Sequence, residues 1–218
     1  MLRLAAEDLY YHGVRLVVAN LIWGIGFLLT AFTLTQSVLG IVPLIAMIPL
    51  TVGLMGMATA LVRERSVVLS DFARAVRGRF WRLLALGLAQ FGLTGLAGFD
   101  LLFGLQVGGL IGLVMAIFAF YSVLALWVLS LTIWPIVADP ERRAEPIRSG
   151  VRLGALLVLA HPLRIGLMAI VLALIAVAST AFVAAIITVA AAYMALVAAH
   201  YVLPSADRLE GRATVAEA

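Results

Sequence analysis

Polar positions in this chain are gathered into a few short stretches, and the segments between them are apolar for long distances. A helix rises 1.5 Å per residue, so about twenty apolar residues cover the roughly 30 Å of bilayer hydrocarbon. Segments of that length recur at 14–35, 40–62, 83–102 and 107–135. The run 165–203 holds 39 residues without a formal charge. One straight helix of that length would reach about 60 Å, twice the hydrocarbon thickness. Two spans, 165–182 and 184–203, with a tight turn near Ala178–Ala184, where Ser179 and Thr180 are the polar pair, fit better; five spans is the alternative. The pattern predicts an all-α polytopic membrane protein, its six transmembrane helices forming three hairpins. Residues 1–204 make one membrane domain and 205–218 a short polar tail.

The polar stretches between the hairpins have a helical pattern of their own. In the longest, Arg63–Arg82, Ser70 and Asp71 make a helix start, and Phe72, Ala75, Val76 and Phe80 then share one face. Arg74, Arg77 and Arg82 lie off that face, and Arg79 snorkels from its edge. In the second, Pro140 and Pro146 stop the preceding span, and a helix from Ile147 is broken at Pro162. Both read as amphipathic elbow helices lying along the membrane surface. Residues 1–15 read the same way, with Leu2, Ala5, Ala6 and Leu9 on one face and Arg3, Glu7 and Asp8 largely opposite.

Composition sharpens the membrane assignment. The chain has 218 residues, of which 65% are hydrophobic and 12% charged. A soluble domain carries about a quarter charged residues, and here the deficit extends over the whole length. The net charge is +4. In a soluble protein that would hint at nucleic acid; here the arginines cluster beside spans and obey the positive-inside rule. All fifteen basic residues are arginine. Six fall in the first elbow stretch, five in the second, two before the first span and none in the outer turns. The elbows and the N-terminus are therefore expected on the cytoplasmic side of a cell membrane. Arg74, Arg77, Arg79, Arg82, Arg142, Arg143, Arg148 and Arg164 are the expected contacts to anionic headgroups or to a membrane or cytoplasmic partner. Glu7 and Asp8 argue against a cleavable signal peptide.

Candidate chemistry is sparse. There is no Cys, which removes thiolate catalysis and Cys-ligated metals. His12, His161 and His200 are far apart and share no helix face with an acid, so neither a metal nor another cofactor is expected. Gly104, Gly108 and Gly112 have the four-residue spacing that lets helix backbones approach closely, within the chain or in a homodimer. Gly92, Gly95 and Gly98 make a second such track. Asp100 is the acid furthest from the inner loops and is expected at the outer turn; buried, it would be a cation or proton site. With Asn20 and Gln90 it could border a polar path between the spans.

Three short motifs carry a resemblance. Asn20-Leu21-Ile22-Trp23 is the first, and Leu61-Val62-Arg63-Glu64 leading into Asp71-Phe72-Ala73-Arg74-Ala75-Val76 is the second. Pro162-Leu163-Arg164 before a long apolar run is the third. Together they resemble the YesL-like family of bacterial integral membrane proteins, a domain of unknown function. The first span departs from that pattern in lacking a proline near its outer end. The resemblance implies a small membrane protein found near carbohydrate uptake, with no established reaction. Two functions are then expected: a non-enzymatic accessory or scaffold protein, or a small transporter or channel. A lipid-modifying enzyme has no acid/base or nucleophile pair to support it.

Overall fold

The computed structural model describes residues 2–36, 41–64, 66–77, 79–180, 182 and 189–212. All the secondary structure among them is helical. The elements are α1 (Leu2–Tyr11), α2 (Gly13–Gln36), α3 (Ile41–Glu64), α4 (Leu69–Val76), α5 (Phe80–Val107), α6 (Gly109–Ala138), α7 (Ile147–Ala160), α8 (Pro162–Thr180) and α9 (Ala191–Glu210), with a 3₁₀ turn at Pro140–Arg142. Among the described residues, α2, α3, α5, α6 and α8 are long and apolar enough to cross a membrane. The chain is thus a polytopic helical membrane protein in contact with lipid. Residues 37–39 of the expected connection between the first two spans lie outside the described residues, as do the start of the expected span 184–203 and the tail from 213.

The hub is α3, which packs against α2, α4, α5, α6 and α9. Small residues set its closest approaches. A Cβ on Gly53 would lie 2.7 Å from the Phe72 ring, and one on Gly56 would strike the Ala75 side chain. The first elbow, α4, therefore lies tight on α3. Its cap lies two residues earlier than expected: Val68, not Ser70, is the N-cap, and the Asp71 carboxylate accepts the Val68 N–H at 2.8 Å. The second elbow, α7, lies on α6 through Gly150 and Gly154, where a Cβ would meet Val137 at 2.9 Å and Ile133 at 2.8 Å. Thr132 Oγ1 donates to the Gly154 carbonyl across this contact.

α5 and α6 form the longest hairpin. Its turn is Gly108, at φ 65° and ψ −171°, a region open essentially only to glycine. Gly109 also has positive φ, at 63°. Gly104 and Gly112 let the two backbones touch, a Cβ on Gly104 falling 2.8 Å from the Gly112 carbonyl oxygen. The expected glycine ridge is thus used inside the chain, and Gly108 belongs to the turn rather than to helix packing. Gly92, Gly95 and Gly98 meet nothing within 4 Å. The expected connection at 103–106 is helical instead, and Asp100 sits within α5, half-buried.

Two further expectations are corrected at the chain ends. The polar tail does not begin at 205: α9 continues through Pro204 to Glu210, and Asp207 is only 1% exposed. On α1, Asp8 turns toward the protein, meeting His200 of α9 at 2.7 Å, while Tyr193 Oη donates to the Leu2 carbonyl at 3.1 Å. The first helix thus lies on α9.

Candidate functional site

Two regions concentrate polar chemistry. The first is at the arginine-rich end, where the tip of α3, the turn after α6 and the end of α9 meet. Arg63 forks onto Asp139, with Nη2–Oδ2 at 2.7 Å and Nε–Oδ1 at 3.3 Å. The same guanidinium reaches Asp207 at 2.6 Å from Nη1 and 3.1 Å from Nη2. Arg142 Nη2 donates to Asp207 at 2.7 Å and Nη1 to Glu210 at 2.6 Å. Arg63, Asp139, Arg142 and Asp207 all have side chains no more than 3% exposed. Two guanidinia and two carboxylates alternate in a closed group, each charge neutralised by a neighbour of opposite sign. Such planar forks suit carboxylates far better than an ammonium would. Arg142 Nε, 3.3 Å from an Asp139 oxygen, makes no hydrogen bond among the described residues.

The sequence places these residues locally. Asp139 follows α6 because Pro140 ends that helix, and its carboxylate accepts the Glu141 N–H at 3.1 Å, starting the 3₁₀ turn that aims Arg142 inward. Thr59 Oγ1, one turn before Arg63, donates to the Ala138 carbonyl at 3.2 Å and sets the register of α3 on α6. Burial alone would raise the Asp207 carboxyl, but its bonds to Arg63 and Arg142 outweigh that and hold it below the ordinary carboxylate range. Burial would likewise lower the Arg142 guanidinium, and Glu210 and Asp207 more than offset it. Glu145 is held low in the same way: burial opposes, and the hydrogen bond from Arg212 at 2.6 Å prevails.

The expected surface arginines therefore divide. Arg142 is not a lipid or partner contact, since it is 2% exposed and locked into the ionic group. Arg79 is half-buried and donates to the carbonyls of Val137 and Glu145, at 3.3 and 3.2 Å, joining the foot of α5 to the α6–α7 turn. Burial and the charges of Arg143 and Arg82 lower its guanidinium. Arg74 is exposed but paired with Asp71 at 2.7 Å. Arg77, Arg82, Arg143, Arg148 and Arg164 are exposed, as expected. Sequence reasoning missed Arg63 and Asp207. The one signal for Asp207 was helical: Ala199, Val202, Leu203 and Ala206 continue a buried face directly to it.

The second region is a half-enclosed cavity of about 520 Å³ within the spans, between α2, α3, α5 and α6. Of its lining, Met47, Ile48 and Trp134 are buried, while Phe27, Ala31 and Leu34 of α2 and Phe91 of α5 are exposed at the protein surface. Trp134 Nε1 donates to Gln90 Oε1 at 2.7 Å, and Gln90 Nε2 donates to Ser130 Oγ. Trp23 Nε1 donates to Thr51 Oγ1 at 3.0 Å, and the Trp23 ring stacks on Phe27 with centroids 5.4 Å apart.

The expected polar path is not assembled. Gln90 lines the cavity, but Asn20 is fully buried elsewhere, accepting the Ala192 N–H of α9 at 2.6 Å. Asp100 does not line it either. No cluster of three metal-ligating side chains occurs among the described residues. No protein-family model, curated protein or solved structure matches the chain. Fold and site together define a multi-pass helical membrane protein with an ionically locked end and an uncharged cavity among its spans.

Proposed function

We propose that the chain is a non-enzymatic protein of a bacterial cell membrane, of YesL-like type, that serves as an accessory or scaffold to a transport system. In this reading the N-terminus and both elbows face the cytoplasm, the side on which arginine-rich segments are retained. The observation that supports it is the two-layer arrangement of the arginines. Arg63 and Arg142 are locked inside an ion-paired core, while Arg77, Arg82, Arg143, Arg148, Arg152 and Arg164 stand exposed around it. A rigid base with an outward cationic rim suits anionic headgroups, at about 1 kcal/mol per arginine, and an acidic patch on a partner. A shallow depression of about 800 Å³ beside α7, bordered by Arg148 and Arg152 over Leu153, Leu156 and Leu209, with Glu210 at its edge already paired to Arg142, gives an acidic amphipathic segment a place to lie.

The test uses the absence of native cysteine. In intact cells an impermeant maleimide should label Gln106→Cys, and should label Ser70→Cys and Ala144→Cys only after permeabilisation. Labelling of positions 70 and 144 from opposite sides would sink the topology. Arg148→Gln with Arg152→Gln should leave insertion intact and abolish cross-linking to a transport subunit. Undiminished cross-linking would remove the docking role. The second reading, a small transporter or channel, is favoured by the cavity between α2, α3, α5 and α6. Liposomes that pass no sugar, amino acid or ion would eliminate it.

A further inference from the structure

The cavity has a chemistry of its own that does not depend on the docking role. Its depth is set by the arginines. Gln90 lies eight residues beyond Arg82, about 12 Å along the helix axis, and Thr51 lies twelve residues before Arg63, about 18 Å. The polar groups thus sit near the middle of a hydrocarbon layer about 30 Å thick. Phosphate and ester groups of bilayer lipids stay at the interface and do not reach that depth. No charged residue lines the space, so an ionic occupant would go unpaired there, at high cost.

The hydrogen bonds also have a direction. An indole N–H can only donate, so the bond from Trp134 fixes the Gln90 carbonyl toward the ring and turns its NH₂ to Ser130. Ser130 in turn donates to the Leu126 carbonyl at 2.6 Å. The Gln90 NH₂ keeps one hydrogen beyond the Ser130 bond. Thr51 accepts from Trp23 and retains its own O–H. Each group thus has an N–H or O–H left to give, which suits a ligand that accepts. Around them stand Trp23, Phe27, Phe91, Trp127 and Trp134, slabs suited to a flat ring. The volume falls within the range of small-molecule sites, and its exposed lining residues, Phe27, Ala31, Leu34 and Phe91, lie on the spans α2 and α5, where lipid can reach them.

We infer that this cavity binds an uncharged, ring-bearing carbonyl compound drawn from the lipid phase, of the quinone class, its carbonyl oxygen accepting from Gln90 and Thr51. Three of the four tryptophans line the cavity, and the fourth, Trp81, is 78% exposed outside it. Trp81→Phe therefore leaves a protein whose indole emission reports on the cavity.

The experiment titrates that variant in detergent with a decyl-substituted benzoquinone, and in parallel with decanol and with a sulfonated, anionic quinone. Saturable quenching at about one equivalent is expected for the neutral quinone alone. Gln90→Leu should weaken binding about three- to tenfold, the worth of one neutral hydrogen bond. Ala31→Phe, at an exposed lining residue and outside the Gln90 network, should abolish saturation without changing the helical circular dichroism. If Gln90→Leu does not fold, Ala31→Phe and the ligand comparison still decide the matter. Linear, unsaturating quenching that is the same in Ala31→Phe would mean partition into the micelle only and would overturn the site. Equal or tighter binding of decanol or of the anionic quinone would overturn the carbonyl-selective, uncharged assignment.

Discussion

The arginine-rich end and the α5–α6 hairpin are held together on opposite principles. At the first, three separate parts of the chain converge on ion pairs whose side chains are at most 3% exposed. At the second, α5 packs mainly on its hairpin partner α6, and Phe99, Leu105, Leu110, Ile111 and Phe118 are all more than 60% exposed. Of the most apolar window of α3, 72% is buried within the protein, against 11% for α5 and 17% for α6. In water such a hairpin would be driven to collapse; in hydrocarbon a leucine loses nothing by facing lipid instead of protein. Apolar surface therefore supplies insertion but little specificity, and the chain's arrangement is decided by small-residue contacts and by polar groups at the boundary.

The largest effect should come from breaking the ionic group. Asp207→Ala leaves two buried guanidinia short of a partner and should destabilise the protein by about 3–5 kcal/mol, read by thermal or SDS unfolding followed by circular dichroism. Asp100→Ala, removing the acid on the hairpin, should move the same transition by less than about 0.5 kcal/mol. If the two losses were alike, the contrast between the regions would be wrong.

Next in size are the close backbone contacts. Gly56→Leu drives a side chain into Ala75 and should cost about 1–3 kcal/mol. Gly108→Ala imposes a Cβ on a glycine-only conformation, for about 1–3 kcal/mol in the same assay. Gly98→Ala, with nothing within 4 Å, should be neutral or slightly stabilising.

Acid should loosen one end only. Asp207 and Glu145 are held below their unfolded values of 3.8 and 4.5. The stability they contribute is complete above those values and is lost as pH falls through the lower folded ones. Unfolding midpoints should be flat from pH 7 to about 5 and fall below about 4. Hydrogen exchange in acid should then rise first in residues 200–210 and not in α5. A comparably small effect is expected at the hairpin tip, where Leu110→Ala should shift stability by less than about 0.5 kcal/mol.

Much of this architecture was legible because it depends on periods and lengths. The apolar runs located α2, α3, α6 and α8 to within three residues at either end, Pro140 and Pro146 located the end of α6, and Pro162 located the break before α8. The elbow at Asp71–Val76 was visible as a face of Phe72, Ala75 and Val76. What misled was reading each charge through its neighbours in sequence. Arg142 sits in a polar run and looks solvated, yet it is buried because Asp207, 65 residues further on, closes over it. Asp207 looked like tail because the hydropathy drops at Ser205, while α9 carries on. Asn20, Gln90 and Asp100 share a polar character but not a location, since helix rotation sends each to a different neighbour.

Composition and the spacing of apolar residues were sufficient to decide solvent, helix content and the position of the bends. A bilayer accepts only segments that satisfy their own backbone, and twenty oily residues are needed to cross it. Which arginines would face water and which would be sealed in pairs was decided by packing. So was the gathering of three tryptophans around one uncharged cavity. Both depend on contacts between residues tens of positions apart, and a local pattern carries no information about those distances.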